Sequence, residues 1–261
     1  MLLLSVTKIA EGEEMQYSEY DKRILPPAFI IMVAFVILLA ILLRRKSERV
    51  RSIPTVIVGV TLLFIEVLKQ RWNVLGEFDH YMLPLHYCSL FVIVIPLGEF
   101  FGSWGRRIFR PIATYMTFIV SCGIYLFPNA ILGSACETVG TEFYGTHSFV
   151  FHHLVVLYFL LVVALRLYEP RLNDILYLGM TGTVYLSFAL PFTYLFDENY
   201  CNLLKSAVPM LEEFRLAEGQ VAYTVAIALF LTLGSMIGSL LYFVSHKIIS
   251  RFCRKKSKKD N

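Results

Sequence analysis

The sequence predicts an all-α, polytopic membrane protein, a bundle of seven transmembrane helices with its amino terminus outside the cell and its carboxyl terminus in the cytoplasm. Hydrophobic residues make up 57% of the 261 residues and charged residues only 17%, which leaves too little polar surface for a soluble domain. The apolar residues form runs of about twenty, the length that ~30 Å of hydrocarbon requires. Lysine and arginine are concentrated in alternate connectors between these runs.

Each span is predicted from an apolar run that lies between two polar connectors. A chain inside hydrocarbon must satisfy its backbone hydrogen bonds internally, so such runs indicate a helical bundle. The predicted spans are 27–43, 54–70, 82–101, 111–132, 149–168, 175–196 and 221–245. They divide the chain into an extracytoplasmic segment, 1–26, a membrane domain, 27–245, and a basic cytoplasmic tail, 246–261.

The basic residues predict the orientation of the bundle. Seventeen of the 24 lysines and arginines lie in the tail, in the connectors that follow the first, third and fifth spans, or, for Arg166, at the end of the fifth span. Because cytoplasmic loops carry the excess of positive charge, the first helix is predicted to run from outside to inside. The sequence therefore indicates a multi-pass protein of the cell membrane whose partners are membrane lipids. It carries no pattern typical of nucleic-acid binding or of a bound cofactor.

Ionisable residues inside membrane spans are costly, so each is a candidate for function. One such residue lies near the outer end of the second span, and others lie near the outer starts of the third and fifth spans. Since the topology puts all of them at one depth, they are predicted to form a polar site near the outer leaflet. The candidate catalytic residues are Glu66, His86, Cys88, His152 and His153.

Three further residues are candidates for substrate binding. Ser89 follows Cys88 in the third span, and Asn199 and Tyr200 lie in the outer loop after the sixth span. Cys136 also falls in a predicted outer loop, where the compartment favours oxidation. A disulfide between Cys136 and Cys201 is therefore a further prediction.

The candidate set is compatible with three kinds of chemistry. A thiol or hydroxyl nucleophile with a histidine base and an orienting carboxylate indicates acyl transfer or hydrolysis. Histidine, cysteine and glutamate together can also bind a metal ion that activates water, but their spacing matches no metal signature and no metal is predicted. Buried glutamate and histidine can instead relay protons in a transporter. The residues leave the function open among a lipid-modifying acyltransferase or hydrolase, a small-solute or proton-coupled transporter and a non-catalytic membrane interaction protein.

Helical geometry separates two of the candidates within the third span. Residues two apart on a regular helix lie about 200° apart around the axis. His86 and Cys88 are therefore expected to face different directions, with Ser89 on the side of His86. On this basis His86 is predicted to matter more for function than Cys88.

The segments LLFIEVLKQRW, LPLHYCSL, FVFHHL and ENYCNLL, at residues 62–72, 83–90, 149–154 and 198–204, resemble the YwaF-like family of bacterial integral membrane proteins. The chain is more distantly similar to animal transmembrane protein 164. The resemblance implies seven helices and a lipid acyltransferase that remodels phospholipids through a cysteine and a histidine. With this resemblance, a lipid-modifying acyltransferase or hydrolase becomes the favoured function, and the transporter and the interaction protein are the alternatives. The Pro-Cys-His motif of the animal relative falls on Pro84, Leu85 and His86. The histidine therefore matches His86, whereas the nearest cysteine is Cys88.

Overall fold

The structure, a computed structural model, describes residues 17–206 and 209–257. Within these ranges the regular elements are all helices, so the protein is all-α as predicted. The α-helices are α1 (Glu19–Leu43), α2 (Glu48–Arg51), α3 (Ile53–Leu75), α4 (Phe91–Phe100), α5 (Gly102–Leu126), α6 (Pro128–Leu132), α7 (Ala135–Thr138), α8 (Phe143–Ala164), α9 (Asp174–Phe196), α10 (Pro209–Glu218) and α11 (Gln220–Ser257). Short 3₁₀ turns cover His80–Met82, Tyr87–Leu90 and Tyr200–Asn202.

Six helical segments in the described ranges are long and apolar enough to cross a membrane, which makes this a multi-pass membrane protein. These segments are Glu19–Leu43, Glu48–Leu75, Gly102–Leu126, Phe143–Ala164, Asp174–Phe196 and Gln220–Ile248. A shorter apolar helix, Tyr87–Phe100, lies between the second and third of them. It occupies the predicted third span, 82–101, but begins several residues later.

The centre of the bundle is α5, which packs against α4, α8, α9 and α11. In its most apolar stretch 61% of the residues are buried, compared with 11% for α1. The first helix therefore lies at the periphery, where it contacts α7 and α8. A capping box in which Ser18 and Asp21 exchange side-chain and backbone hydrogen bonds fixes the start of α1.

Two glycines make the tight corner between α4 and α5. Gly102 has φ +59°, a left-handed conformation that glycine adopts without steric cost. A Cβ atom on Gly105 would lie 2.1 Å from the carbonyl oxygen of Leu97, so only glycine allows the two helices to approach this closely. The corner starts α5 well before residue 111, where the sequence predicts the fourth span to begin.

A buried ion pair joins α4 to α5 close to this corner. The Arg110 guanidinium donates to both carboxylate oxygens of Glu99, at 3.0 Å and 2.8 Å, and both side chains are almost fully buried. The Tyr158 hydroxyl donates to the same carboxylate at 2.8 Å, and Thr55 Oγ1 lies 2.8 Å from its other oxygen. Arg110 also donates to the Leu167 carbonyl at 3.2 Å. The network links α3, α4, α5 and α8. Arg110 lies within α5, although the predicted spans place residue 110 in the connector before 111–132.

Candidate functional site

A cavity of about 500 Å³ lies at the end of the bundle where α3 ends and α8 begins. Ligand cavities in proteins commonly have volumes in this range. Five of the candidates predicted from the sequence line this one cavity: Glu66, His86, Cys88, Ser89 and His152. Positions from the second, third and fifth predicted spans therefore meet in one place, as their shared depth predicts.

Glu66 is buried in the wall of the cavity with polar partners on two helices. Its Oε1 accepts a hydrogen bond from Gln70 at 2.8 Å and lies 2.9 Å from the Lys69 ammonium. Its Oε2 lies 3.7 Å from His147 Nε2. Gln70 also donates to the Met82 carbonyl at 2.8 Å. These contacts tie the end of α3 to α8 and to the segment that leads into the third span.

Lys69 and His147 also line the cavity, and neither is among the residues predicted from the sequence. Their side chains are only 12% and 11% exposed. Lys69 lies at the outer end of the predicted second span, 54–70, where a lysine is expected to extend to the membrane interface. His147 was placed in a loop because the predicted fifth span starts at residue 149, whereas α8 starts at Phe143. Helical turns that extend beyond the apolar run carry both side chains into the site.

His86 and Cys88 both line the cavity, so the expectation that they face different directions is wrong. That expectation assumed a regular helix from residue 82, but the helix begins at Tyr87 and His86 lies before it in an extended conformation, with φ −73° and ψ 150°. A residue that precedes proline is disfavoured in the helical region, and Leu83 accordingly has ψ 151°. Pro84 thus delays the helix and removes the 200° separation.

Hydrogen bonds to carbonyl groups fix which ring nitrogen of each histidine is free. His86 Nε2 lies 3.1 Å from the Tyr81 carbonyl oxygen and His152 Nδ1 lies 2.8 Å from that of Ser148. A carbonyl only accepts, so these nitrogens carry the protons in the neutral rings. The lone pairs are then on Nδ1 of His86 and Nε2 of His152. The latter is buried and has no hydrogen-bond partner among the described residues, so both rings can act as bases.

Of the two adjacent histidines predicted to be catalytic, His152 lines the cavity and His153 does not. His153 Nδ1 lies 2.8 Å from the Phe149 carbonyl oxygen, and its ring stacks on the Phe149 ring at 4.0 Å. Both side chains are buried, but neighbours on a helix lie about 100° apart, and only one of the two lines the cavity. His152 is that residue.

A family model described as the TMEM164 family matches residues 17–242. The chain belongs to the TMEM164 family. The match agrees with the similarity to animal transmembrane protein 164 and covers every residue of the cavity. No curated protein matches the chain, and no solved structure matches it.

In this TMEM164-family protein, Asn199 and Tyr200 are not part of the cavity lining, although the sequence predicts both to bind substrate. Asn199 Oδ1 accepts from the backbone N–H groups of Leu204 and Lys205 at 2.9 Å and 3.0 Å, so it braces its own loop. Tyr200 is fully buried. Its ring packs edge-on to that of His86, with the centroids 5.2 Å apart.

The predicted disulfide between Cys136 and Cys201 is wrong, because both cysteines are free thiols. Cys136 is buried in the main hydrophobic core, whereas the loop after α9 directs Cys201 against the Tyr87 backbone at 2.8 Å. Burial raises the pKa of the Cys201 thiol to about 11, so it stays protonated at neutral pH. In the part of the chain that the structure describes, no three His, Cys, Asp or Glu side chains form a group suited to a metal ion.

Proposed function

We propose that this TMEM164-family protein is a membrane-embedded acyltransferase that moves an acyl chain from one phospholipid to another. The observation that carries the proposal is the single cavity lined by the Cys88 thiol, the Ser89 hydroxyl and the imidazoles of His86 and His152. A nucleophile and a general base in one cavity are the groups that acyl transfer requires. The resemblance to the animal relative implies the same chemistry.

In the proposed reaction, Cys88 Sγ attacks the ester carbonyl carbon of the donor phospholipid. His86 Nδ1 takes the thiol proton and returns it to the departing lysophospholipid oxygen, which leaves a thioester on Cys88. The hydroxyl of an acceptor lysolipid then gives its proton to the same histidine and attacks the thioester. The products are the new ester and the restored thiol, so no further reactant is required. His152, with its free Nε2, is the second candidate for the base.

The part of the cavity lining that carries Lys69 and His147 suits the phosphate group of the substrate. Lys69 offers an ammonium group there, and Glu66 holds it at 2.9 Å. His147 lies on the other side of the same carboxylate. An ammonium group that is held in place and shielded from water attracts a phosphate more strongly than a mobile surface lysine does. We assign this wall to the lipid headgroup.

We further propose that the short helix Tyr87–Phe100 completes a seven-helix bundle with its amino terminus outside the cell. The distribution of lysine and arginine supports this orientation. The cavity then opens towards the outer leaflet, where a donor and an acceptor lipid both reach it laterally.

Accessibility labelling tests the orientation. Single cysteines placed in a cysteine-free background within 133–148 and 197–220 are expected to react with an impermeant maleimide on intact cells, because these segments lie outside. Cysteines placed within 102–110 are expected to react only after the cells are permeabilised. Labelling with the reverse pattern would move the cavity to the inner leaflet.

Reconstitution tests the activity itself. The purified protein in liposomes with an acyl-labelled phospholipid and an unlabelled lysophospholipid is expected to transfer the label to the acceptor, and His86→Ala is expected to abolish the transfer. A protein that instead conducts protons or solute, with flux lost in Glu66→Gln, would be a transporter. Absence of both activities, with Glu66→Gln behaving as wild type in cells, would identify an interaction protein.

A further inference from the structure

The loop between α9 and α10 turns inward at two residues with unusual backbone conformations. Cys201 has φ +52° and Asn202 has φ +59°, values that residues other than glycine seldom adopt. Such conformations persist only where surrounding contacts maintain them, and they are concentrated at functional sites. Here the turn places the Cys201 side chain against the segment 85–87, which carries His86.

Three hydrogen bonds connect this side chain to the segment, and their directions follow from chemistry. Tyr185 Oη lies 2.7 Å from the Leu85 carbonyl oxygen, which only accepts, so the single hydroxyl proton points to it. The 2.7 Å contact between Tyr185 Oη and Cys201 Sγ is then donated by the thiol. The same sulfur accepts from the Tyr87 backbone N–H at 2.8 Å.

The resulting chain runs from the Tyr87 N–H to the Cys201 sulfur, from the Cys201 S–H to the Tyr185 oxygen, and from the Tyr185 O–H to the Leu85 carbonyl. Its two ends are the backbone groups on either side of His86. Because the first N–H groups of a helix have no partner within the helix, the thiol satisfies a group that would otherwise be free. It also holds the extended residue that precedes the helix.

The ring of His86 is restrained by the same loop. It lies edge-on to the rings of Tyr81 and Tyr200, with centroids 4.5 Å and 5.2 Å away, and those two tyrosine rings are nearly parallel, at 6°. The Tyr200 hydroxyl in turn donates to the His80 carbonyl. The backbone beside His86 is thus held through Cys201, and the ring of His86 contacts Tyr200, the residue before Cys201.

We propose that Cys201 and Tyr185 are positioning residues that hold His86 in the orientation needed for proton transfer. The proposal depends on the proposed function in one respect, that His86 transfers a proton during the reaction. The restraint on His86 exists whether or not that step is acyl transfer. Neither residue touches the reacting atoms, since neither lines the cavity.

The test uses the full-length protein in liposomes and four variants: Cys201→Ala, Cys201→Ser, Tyr185→Phe and the double variant Cys201→Ala/Tyr185→Phe. Each break in the chain is expected to lower kcat about tenfold with little change in KM, because small misplacements of a catalytic group have large kinetic effects. The double variant is expected to have about the same kcat as either single variant, because all three variants interrupt the same chain of hydrogen bonds. Serine, which also donates and accepts, is expected to restore most of kcat.

A second measurement reads the restraint without any assay of activity. The rate at which diethyl pyrocarbonate modifies His86, followed by mass spectrometry of the peptide, is expected to rise several-fold in Cys201→Ala and Tyr185→Phe. It is expected to stay at the wild-type value in Cys122→Ala, a matched cysteine variant outside the cavity. Tyr185→Phe removes one oxygen and preserves the packing. It therefore tests the positioning role even if Cys201→Ala fails to fold.

The outcomes separate the two proposals. Unchanged kcat together with an unchanged rate of His86 modification in Tyr185→Phe would overturn the positioning role. A changed rate of modification in a protein that transfers no acyl group would uphold the positioning role and reject the acyltransferase. If kcat falls in Cys201→Ala and is not restored in Cys201→Ser, and the reactivity of His86 is unaltered, Cys201 contributes only to packing.

Discussion

Cys88→Ala is expected to reduce acyl transfer in liposomes more than about a thousandfold, because removal of a nucleophile leaves only the contributions of binding. The wild-type protein, quenched during turnover with labelled donor, is expected to carry the label on the Cys88 peptide, and neutral hydroxylamine is expected to release it as a thioester. Mass spectrometry of the quenched protein measures both effects. The variant is expected to remain folded, since the side chain is only half-buried.

The neighbouring hydroxyl is the alternative nucleophile, and the same experiment distinguishes the two. Ser89 lines the same cavity, and an acyl group on it would be an oxyester that resists neutral hydroxylamine. Loss of transfer in Ser89→Ala with activity retained in Cys88→Ala would assign the reaction to the serine. Cys122→Ala, which changes a thiol outside the cavity, is the matched control and is expected to transfer at the wild-type rate.

Arg110→Ala is expected to lower the free energy of unfolding in mixed micelles by about 3–5 kcal/mol, because it leaves the buried Glu99 carboxylate without its counter-ion. Exposed Arg107 on the same helix provides the control, and Arg107→Ala is expected to change stability by less than about 0.5 kcal/mol. Denaturant or thermal unfolding followed by circular dichroism measures the difference. Both arginines carry the same charge, so a comparable loss in the two variants would contradict the special role of the buried pair.

The double variant Glu99→Leu/Arg110→Met sharpens this test. Replacing a buried ion pair by apolar residues of similar size is often close to neutral, whereas removing one partner is costly. The double variant is therefore expected to be more stable than Arg110→Ala. A double variant that is as unstable as the single one would indicate that the contacts of Tyr158 and Leu167 with the pair, rather than its charge, hold the helices together.

The membrane character and the grouping of the candidates followed from the sequence because both depend on position along the chain. The depth of Glu66, His86 and His152 in the membrane follows from the number of residues between each of them and the end of its apolar run. Depth brought these three residues to one cavity, whereas His153 at the same depth is directed elsewhere. The composition likewise predicted an all-α bundle without knowledge of any contact.

The features that the sequence did not predict depend on where helices start and on how they pack. Cys88 was placed on the wrong face because Pro84 keeps His86 outside the helix. His147 was missed because α8 extends beyond its apolar run. The partner of Glu99 is Arg110. The predicted spans place Arg110 in a loop, because they do not include the tight corner at Gly105 that lets α5 begin earlier. These depend on contacts that hydropathy does not describe.

The short helix Tyr87–Phe100 has a consequence for the lipid around the protein. At 1.5 Å per residue it is only about 21 Å long, whereas the hydrocarbon core of a bilayer is ~30 Å thick. A bilayer meets such a mismatch by becoming thinner beside the short element. The headgroups would then sink toward His86 and Cys88 on that flank, and ester bonds that normally lie too shallow would come level with the cavity. The acyl transfer proposed above is therefore expected to be faster in thin bilayers than in thick ones.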